Sequence, residues 1–414
     1  MFANYFDDDR RSSPINLAVA RWVLGVWLAW KTVFYDWPLL LSGVSRAMAH
    51  DEFDPLIPLS IPWILTVEKW LLIGFVLLVI VGYRIRVTAL VSAALAAHLG
   101  VIRGTVVSSG EVNSLFIGSA FLVFIALYPE DDVLSVDGLR KARSQSLDSL
   151  VARLKSDEDR SYRMSAMKYS LLTLAILFFS TGASKVVDGG GPGFVAPDNL
   201  SRLVFLRTYV YPWNDIPLLL VEHPFLGVLG GIGTLVLEFG FLVAVLVGVS
   251  ITPFVVGLVL FTLSNVVLLG IFFVDNLFFL AVFAAFDGAY RRLALDREID
   301  LVFDEHCLFC ARSLYPFKLL DIDGTVTFYS QYDAPDACTE RSEVDLGRAM
   351  YVFDGQSGYE GYEAFRELLR QNRLFSPLVW VMGLPPARSV GRRVYRYVAD
   401  NRSRHFACRP AELE

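Results

Sequence analysis

The segment IDLVFDEHCLFC, residues 299–310, marks the point at which the chain changes character. Ile299 to Phe303 is a short apolar run that reads as a buried strand, Asp304 to His306 is a polar turn, and CARSLYPFKLLD (310–321) has helical spacing. Two cysteines spaced CxxC therefore stand at the mouth of a helix. The thiolate is the reactive form of cysteine, and unpaired N–H groups at a helix N-terminus favour negative charge. This predicts Cys307 as an acidic, exposed nucleophile and Cys310, one turn on, as the thiol that resolves a mixed disulfide. His306 either adds positive charge or accepts a proton beside the nucleophile, or is simply a solvent-facing turn residue. The other reading of a CxxC is a zinc site, which wants four ligands; only the scattered Cys338, His405 and Cys408 could complete it, so no metal is expected.

Downstream, GTVTFYSQ (324–331) alternates like a strand, RAMYVFD (348–354) and the following SGYEG read as a hairpin, and EAFRELLRQNRL (363–374) is an amphipathic helix. Further helical patches fall near 377–383 and 388–400. Strand, helix, strand, hairpin and helix, with CxxC between the first two, resembles the order of a small α/β thioredoxin-like domain. The Asp304, Cys307, Cys310 pattern D-x-x-C-x-x-C is similar to that of the DCC family of thiol-disulfide oxidoreductases. The likeness extends to YVFDGQSGYEGYEAF (351–365) and RRVYRYVADNRSRH (392–405), over roughly residues 299–408. It implies a redox-active dithiol at Cys307 and Cys310, with Asp304 part of the same site. DLGRAMYVF (345–353) has no proline where thioredoxins place a cis one.

Upstream the composition is that of a membrane protein. Over the whole chain 54% of residues are hydrophobic, only 19% are charged, and Phe alone numbers 31, while mean hydropathy is +0.48; a soluble globular chain is less apolar and more charged. All four cysteines lie beyond residue 300, so the apolar part contains none. The reading is a polytopic α-helical membrane bundle of about eight transmembrane helices over residues 1–290, followed by the thioredoxin-like domain over 291–414. A span needs about 20 apolar residues, and candidates lie near 15–36, 62–82, 86–103, 113–128, 166–186, 224–248, 252–271 and 273–288. Residues 37–61 and 188–223 are too broken to span and are expected to lie along the membrane surface, the second as short interfacial helices. MFANYFDDDRRSSP does not read as a cleavable signal. A net charge of -6 and the lack of a basic, aromatic-interleaved face argue against a nucleic acid partner.

Lysine and arginine in short loops stay cytoplasmic. Arg10 and Arg11, Arg84 and Arg86, the crowd from Arg140 to Lys168, and Arg291, Arg292 and Arg297 all fall on one side if the helices number eight. Both termini and the CxxC domain are then expected in the cytoplasm of a multi-pass cell-membrane protein. Arg21, Lys31, Glu68, Lys69 and Glu238 lie in or beside apolar spans, where ionisable groups are costly and must pair or line a cavity. Glu238 is the best placed for a cavity or substrate-binding role, with an interhelical hydrogen bond as the structural alternative.

STGASKVVDGG (180–190), Glu238 in VLEFGFLVAVL (236–246), SSGEVNSLF (108–116) and the run from Asn265 to Phe286 resemble the HTTM domain shared with vitamin K-dependent gamma-carboxylases, over roughly residues 12–290. That resemblance implies a lysine base at Lys185; the other reading is a lysine that snorkels to the interface at a helix end. The combined expectation is a membrane-bound thiol-disulfide oxidoreductase with a cytoplasmic dithiol. Its partners would be the bilayer, client protein thiols and, if the bundle takes part, a lipophilic quinone, the one cofactor considered. Two other readings stand beside it: a carboxylase- or epoxidase-like enzyme acting through Lys185, and a transporter or assembly factor carrying a CxxC sensing module.

Overall fold

The computed structural model describes residues 11–34, 62–106, 112–128, 134–156, 162–187, 191–208, 218–270, 273–295, 297–335, 349–355 and 357–405. The surface segment expected over 37–61, Arg10, Cys338 and Cys408 lie outside them, as does the side chain of His405. Contacts divide the chain into two units, one of Met1–Arg11, Val19–Asp131 and Arg163–Ala284, the other of Ser12–Ala18, Asp132–Tyr162 and Ala285–Glu414.

The first unit is helical. In chain order its elements are α1 (Pro14–Phe34, whose first turn belongs to the other unit), α2 (Pro62–Val81), α3 (Ile85–Val106) and α4 (Val112–Leu127). After α5 (Val136–Ser144) and α6 (Leu147–Lys155), which belong to the second unit, come α7 (Ser165–Val187), α8 (Pro197–Thr208), α9 (Leu218–Glu222), α10 (Pro224–Val247), α11 (Thr252–Leu269) and α12 (Val274–Ala281). Among the described residues five helices are long and apolar enough to cross a membrane: Pro14–Phe34, Trp63–Val81, Ile85–Ile102, Ser165–Val187 and Pro224–Val247. Ser114–Leu127 and Thr252–Leu268 are apolar but shorter. Trp63, Trp70, Phe225 and Leu260 are each more than 60% exposed, an arrangement that costs free energy in water and none against acyl chains.

The expected span over 273–288 is not one helix. It breaks after Ala281, and a separate amphipathic helix, α13 (Phe286–Leu293), follows. The break is held by Asn16, whose Oδ1 accepts the Asp287 amide at 2.8 Å while its Nδ2 donates to Asp287 Oδ1 at 3.0 Å. A polar residue in the run is thus met by a partner that satisfies an amide the helix break frees. The predicted short helices over 188–223 are present as a 3-10 turn at Gly191–Val195 together with α8 and α9.

The second unit is built on a four-stranded mixed sheet. Its strands are β1 (Ile299–Phe303), β2 (Val326–Ser330), β3 (Tyr351–Phe353) and β4 (Gly358–Glu360), in the spatial order β2-β1-β3-β4. β1 runs parallel to β2, joined through α14 (Leu308–Leu320), and antiparallel to β3, which forms the expected hairpin with β4. α15 (Tyr362–Arg370), α16 (Ser376–Gly383) and α17 (Pro385–His405) complete it. Alternate side chains of β1 feed two cores. Leu301 and Phe303 meet Ala311 and Leu314 of α14 on one face, while Val302 meets Tyr351, Phe353 and the ring of Tyr395 on the other.

The first of these cores holds Ala142, Leu150 and Leu154. The stretch rich in Lys and Arg before Ser165, read from sequence as a cytoplasmic loop of the bundle, thus contributes two capped helices to the sheet's hydrophobic layer. Ser135 accepts the Gly138 amide and Ser146 the Ser149 amide at the two N-caps.

Candidate functional site: a dithiol at a helix N-terminus

Asp304 ends β1 and shapes the turn that presents the cysteines. Its carboxylate Oδ1 accepts the His306 amide at 3.0 Å and its backbone carbonyl accepts the Cys307 amide at 3.2 Å. An aspartate side chain folding onto the backbone two residues ahead is a local turn former, so Asp304 acts on the site by fixing the chain path into α14.

Cys307 is the N-cap of α14, with extended backbone (φ -99, ψ 98), and its Sγ accepts the amide of Cys310 at 3.3 Å. Both sulfurs are thiols, with no disulfide between them. An N-cap acceptor meets one of the amides the first helical turn leaves unbonded, and the positive end of the helix favours that acceptor as an anion. One part of the sequence expectation is corrected. Cys307 is fully buried, and Cys310 is the partly exposed member of the pair. The Cys307 sulfur lies over the first turn of α14, where it accepts the Cys310 amide.

His306 is partly buried, and its ring meets that of Tyr332 edge-on at 5.5 Å. Around the same turn runs a bridge that sequence reasoning missed. Lys155, at the end of α6, donates to Glu305 at 2.9 Å and to Asp333 at 2.7 Å. Burial pulls the Lys155 pKa down, but the bonds to Asp333 and Glu305 outweigh it and hold the ammonium above its ordinary value. Asp333 is the mirror case: burial pushes it up, while bonds from Lys155 and Ser330 hold it below the usual carboxylate range. A depressed carboxylate pKa adds stability that is present above the unfolded value and is lost as pH falls through the folded one. Amides around Ser330 to Asp333 should therefore lose hydrogen-exchange protection on acidification. In Lys155→Met the protection should already be low at neutral pH, and a profile identical to the wild type would remove the bridge from the site.

Lys185 and Glu238, from α7 and α10 of the first unit, are brought together. Lys185 Nζ hydrogen-bonds Glu238 Oε1, which also accepts Thr181 Oγ1 at 3.2 Å, and Gly182 provides the clearance: a Cβ there would lie 3.1 Å from the Glu238 Cβ. The remaining Glu238 oxygen, Oε2, is buried without a hydrogen-bond partner among the described residues. Other charges of the apolar helices pair in the same way, Lys31 with Asp275 and Glu68 with His98, whose Nδ1 is 2.9 Å from the carboxylate. Paired charges of this kind are what an apolar bundle requires of any ionisable group it holds.

At the far side of β1, continuing its register with β3 places Met350 opposite Phe303. The Met350 amide donates to Tyr395 Oη at 3.1 Å and its carbonyl accepts the Gly361 amide at 2.8 Å. Tyr395 thus occupies the amide of the residue that leads into β3.

Residues 301–408 match the family model described as DCC1-like thiol-disulfide oxidoreductase. The matched region holds β2, α14, the hairpin, the helices that follow and both cysteines, and residues 1–300 lie outside it. The chain matched no curated protein and no solved structure.

Proposed function

We propose that the chain is a membrane-bound thiol-disulfide oxidoreductase whose chemistry runs through Cys307 and Cys310 of a thioredoxin-like domain. The observation that carries this reading is the Cys307 sulfur in the N-cap of α14, accepting the amide of its CxxC partner. The match to DCC1-like oxidoreductases over that same segment supports it.

In the reducing direction the Cys307 thiolate attacks one sulfur of a client disulfide. The S–S bond of the client breaks, a mixed disulfide forms, and the departing client sulfur leaves as a thiolate that takes up a proton. The Cys310 thiolate then attacks the Cys307 sulfur, closing the intramolecular disulfide and releasing the second client thiol. Two electrons and two protons pass from the dithiol to the client; the reverse sequence oxidises a client dithiol. Because Cys307 is buried, its cover must open for the client to reach it.

The apolar helices hold this domain at a bilayer, and the Lys- and Arg-rich stretch 134–156, whose helices pack into the same core as β1 and α14, supports a cytoplasmic dithiol. A lipophilic quinone in the bundle would supply the electron partner on the membrane side, and the Lys185–Glu238 pair is the place to seek it. The domain division of this reading follows the two units, with 132–162 joined to the redox domain.

Trapping tests it. With Cys310→Ser the resolving step is removed, so client proteins should accumulate as mixed disulfides on Cys307, seen as reductant-sensitive adducts on gels of the membrane fraction. A CxxC that merely senses or binds would give no adducts, and that result would displace the oxidoreductase reading.

A further inference from the structure

A preformed cavity of about 460 Å3 lies in the second unit between β4, the start of α15 and α17. Its size is that of a site for a small ligand. Two tyrosines make its walls, and both are fixed. Tyr362 Oη donates to the Met382 carbonyl at 3.1 Å, and Tyr395 Oη accepts the Met350 amide. Two glycines allow their close approach: a Cβ on Gly391 would stand 2.1 Å from the Tyr362 ring, and one on Gly361, at φ +58, would stand 2.6 Å from that of Tyr395. The walls therefore exist before any ligand arrives, which lowers the ordering cost of binding.

The charges in the lining are of both signs and unevenly satisfied. Glu363 is taken by Arg388 and Arg392, at 2.6 and 2.7 Å. Arg396, Glu360 and Asp400 also line the cavity, and none of them has an ion-pair partner among the described residues. Arg396 and Asp400 stand one turn apart on α17 and Glu360 ends β4, all three exposed to the cavity mouth, and a guanidinium beside two carboxylates is the complement of a ligand carrying a carboxylate and an ammonium group. Ala349 lines the cavity too, next to Met350 opposite Phe303, so the cavity reaches the end of the sheet from which the turn at Asp304 to Cys307 departs.

We propose that this cavity binds the charged part of a low-molecular-weight peptide thiol or disulfide, a zwitterion whose carboxylate meets Arg396 and whose ammonium meets Glu360 and Asp400. The proposal rests on the exchange chemistry assigned to Cys307 and Cys310, since it makes this ligand class their small-molecule partner.

S-methylglutathione, a zwitterionic tripeptide thioether that cannot exchange, isolates binding from redox chemistry. Titrated calorimetrically into the detergent-solubilised full chain, it should bind saturably, and Arg396→Glu should weaken it by about tenfold or more, the usual effect of reversing one partner of a charge-assisted contact. Arg396→Lys, which keeps the charge and loses the fork, should fall between the two. Absence of saturable binding to the wild type, or equal binding to the wild type and to Arg396→Glu, overturns the assignment. Stoichiometric reduction of the neutral hydroxyethyl disulfide by the pre-reduced wild type, which leaves Cys307 and Cys310 as a disulfide, reports separately on the exchange reading: reduction without S-methylglutathione binding overturns the cavity assignment alone, and binding without reduction overturns its place as the partner of the dithiol.

Discussion

Cys307→Ser should abolish thiol-disulfide exchange while leaving the domain folded. Serine is itself among the preferred N-cap residues, so its hydroxyl can accept the Cys310 amide that the Cys307 sulfur accepts at 3.3 Å, and α14 keeps its cap. What is lost is the chemistry. A serine hydroxyl yields almost no alkoxide at neutral pH, whereas a thiol at a helix N-terminus yields a thiolate, so the rate should fall by about three orders of magnitude or more. Equal unfolding midpoints for the two proteins, read beside insulin or hydroxyethyl disulfide reduction, separate this outcome from misfolding. The burial pattern adds a second, independent readout. Cys307 is fully enclosed and Cys310 is partly exposed, so iodoacetamide should modify Cys310 first, and Cys307 only after its cover opens. Full exchange activity in Cys307→Ser would dismiss this sulfur as the nucleophile, and preferential alkylation of Cys307 would contradict its enclosure.

Residues 299–310 allowed so much to be inferred because everything that determines the dithiol is local. An apolar run of five, an aspartate that turns the chain and a cysteine preceding a helical pattern specify strand, turn and N-cap within a dozen residues, and β1, Asp304 and Cys307 stand where that reasoning puts them. The hairpin and the helix after it were legible for the same reason. The cover over Cys307 was not, because burial depends on elements far away in sequence. The helices of the first unit were legible through sheer hydrophobicity, with bounds within a few residues of those read for 62–82, 166–186 and 224–248. Pairing among their charges was only half visible. Lys185 and Glu238 could each be singled out as ionisable groups in apolar surroundings, but their meeting across α7 and α10 is tertiary. The span expected at 273–288 failed because hydropathy alone does not register that Asp287 has a dedicated partner in Asn16, 271 residues earlier.

The same contrast between local charge and distant packing governs Leu154→Ala, which should destabilise the redox domain although it lies about 150 residues before the CxxC in sequence. Residues 134–156 carry an amphipathic signal in Leu147, Leu150, Val151 and Leu154, spaced three, four and seven apart behind a serine cap. Reading the stretch for its arginines and lysines as a topology signal passes over that stripe. In the structure Leu150 and Leu154 are fully buried, in one cluster with Leu301 and Phe303 of β1 and Leu314 of α14. Truncating a buried leucine costs about 2–5 kcal/mol, which for a domain of this size lowers the unfolding midpoint by roughly 10 °C. Arg153, beside it, is exposed; Arg153→Ala should change stability by less than about 0.5 kcal/mol. If 134–156 served only as a positively charged loop between spans, the order would invert: loss of Arg153 would disturb insertion and Leu154→Ala would be silent. Thermal unfolding followed by the accessibility of Cys310 decides between the two. A domain indifferent to Leu154→Ala would mean that its core closes without α6 and that the Lys155 bridge to Glu305 and Asp333 holds that helix to the site from outside.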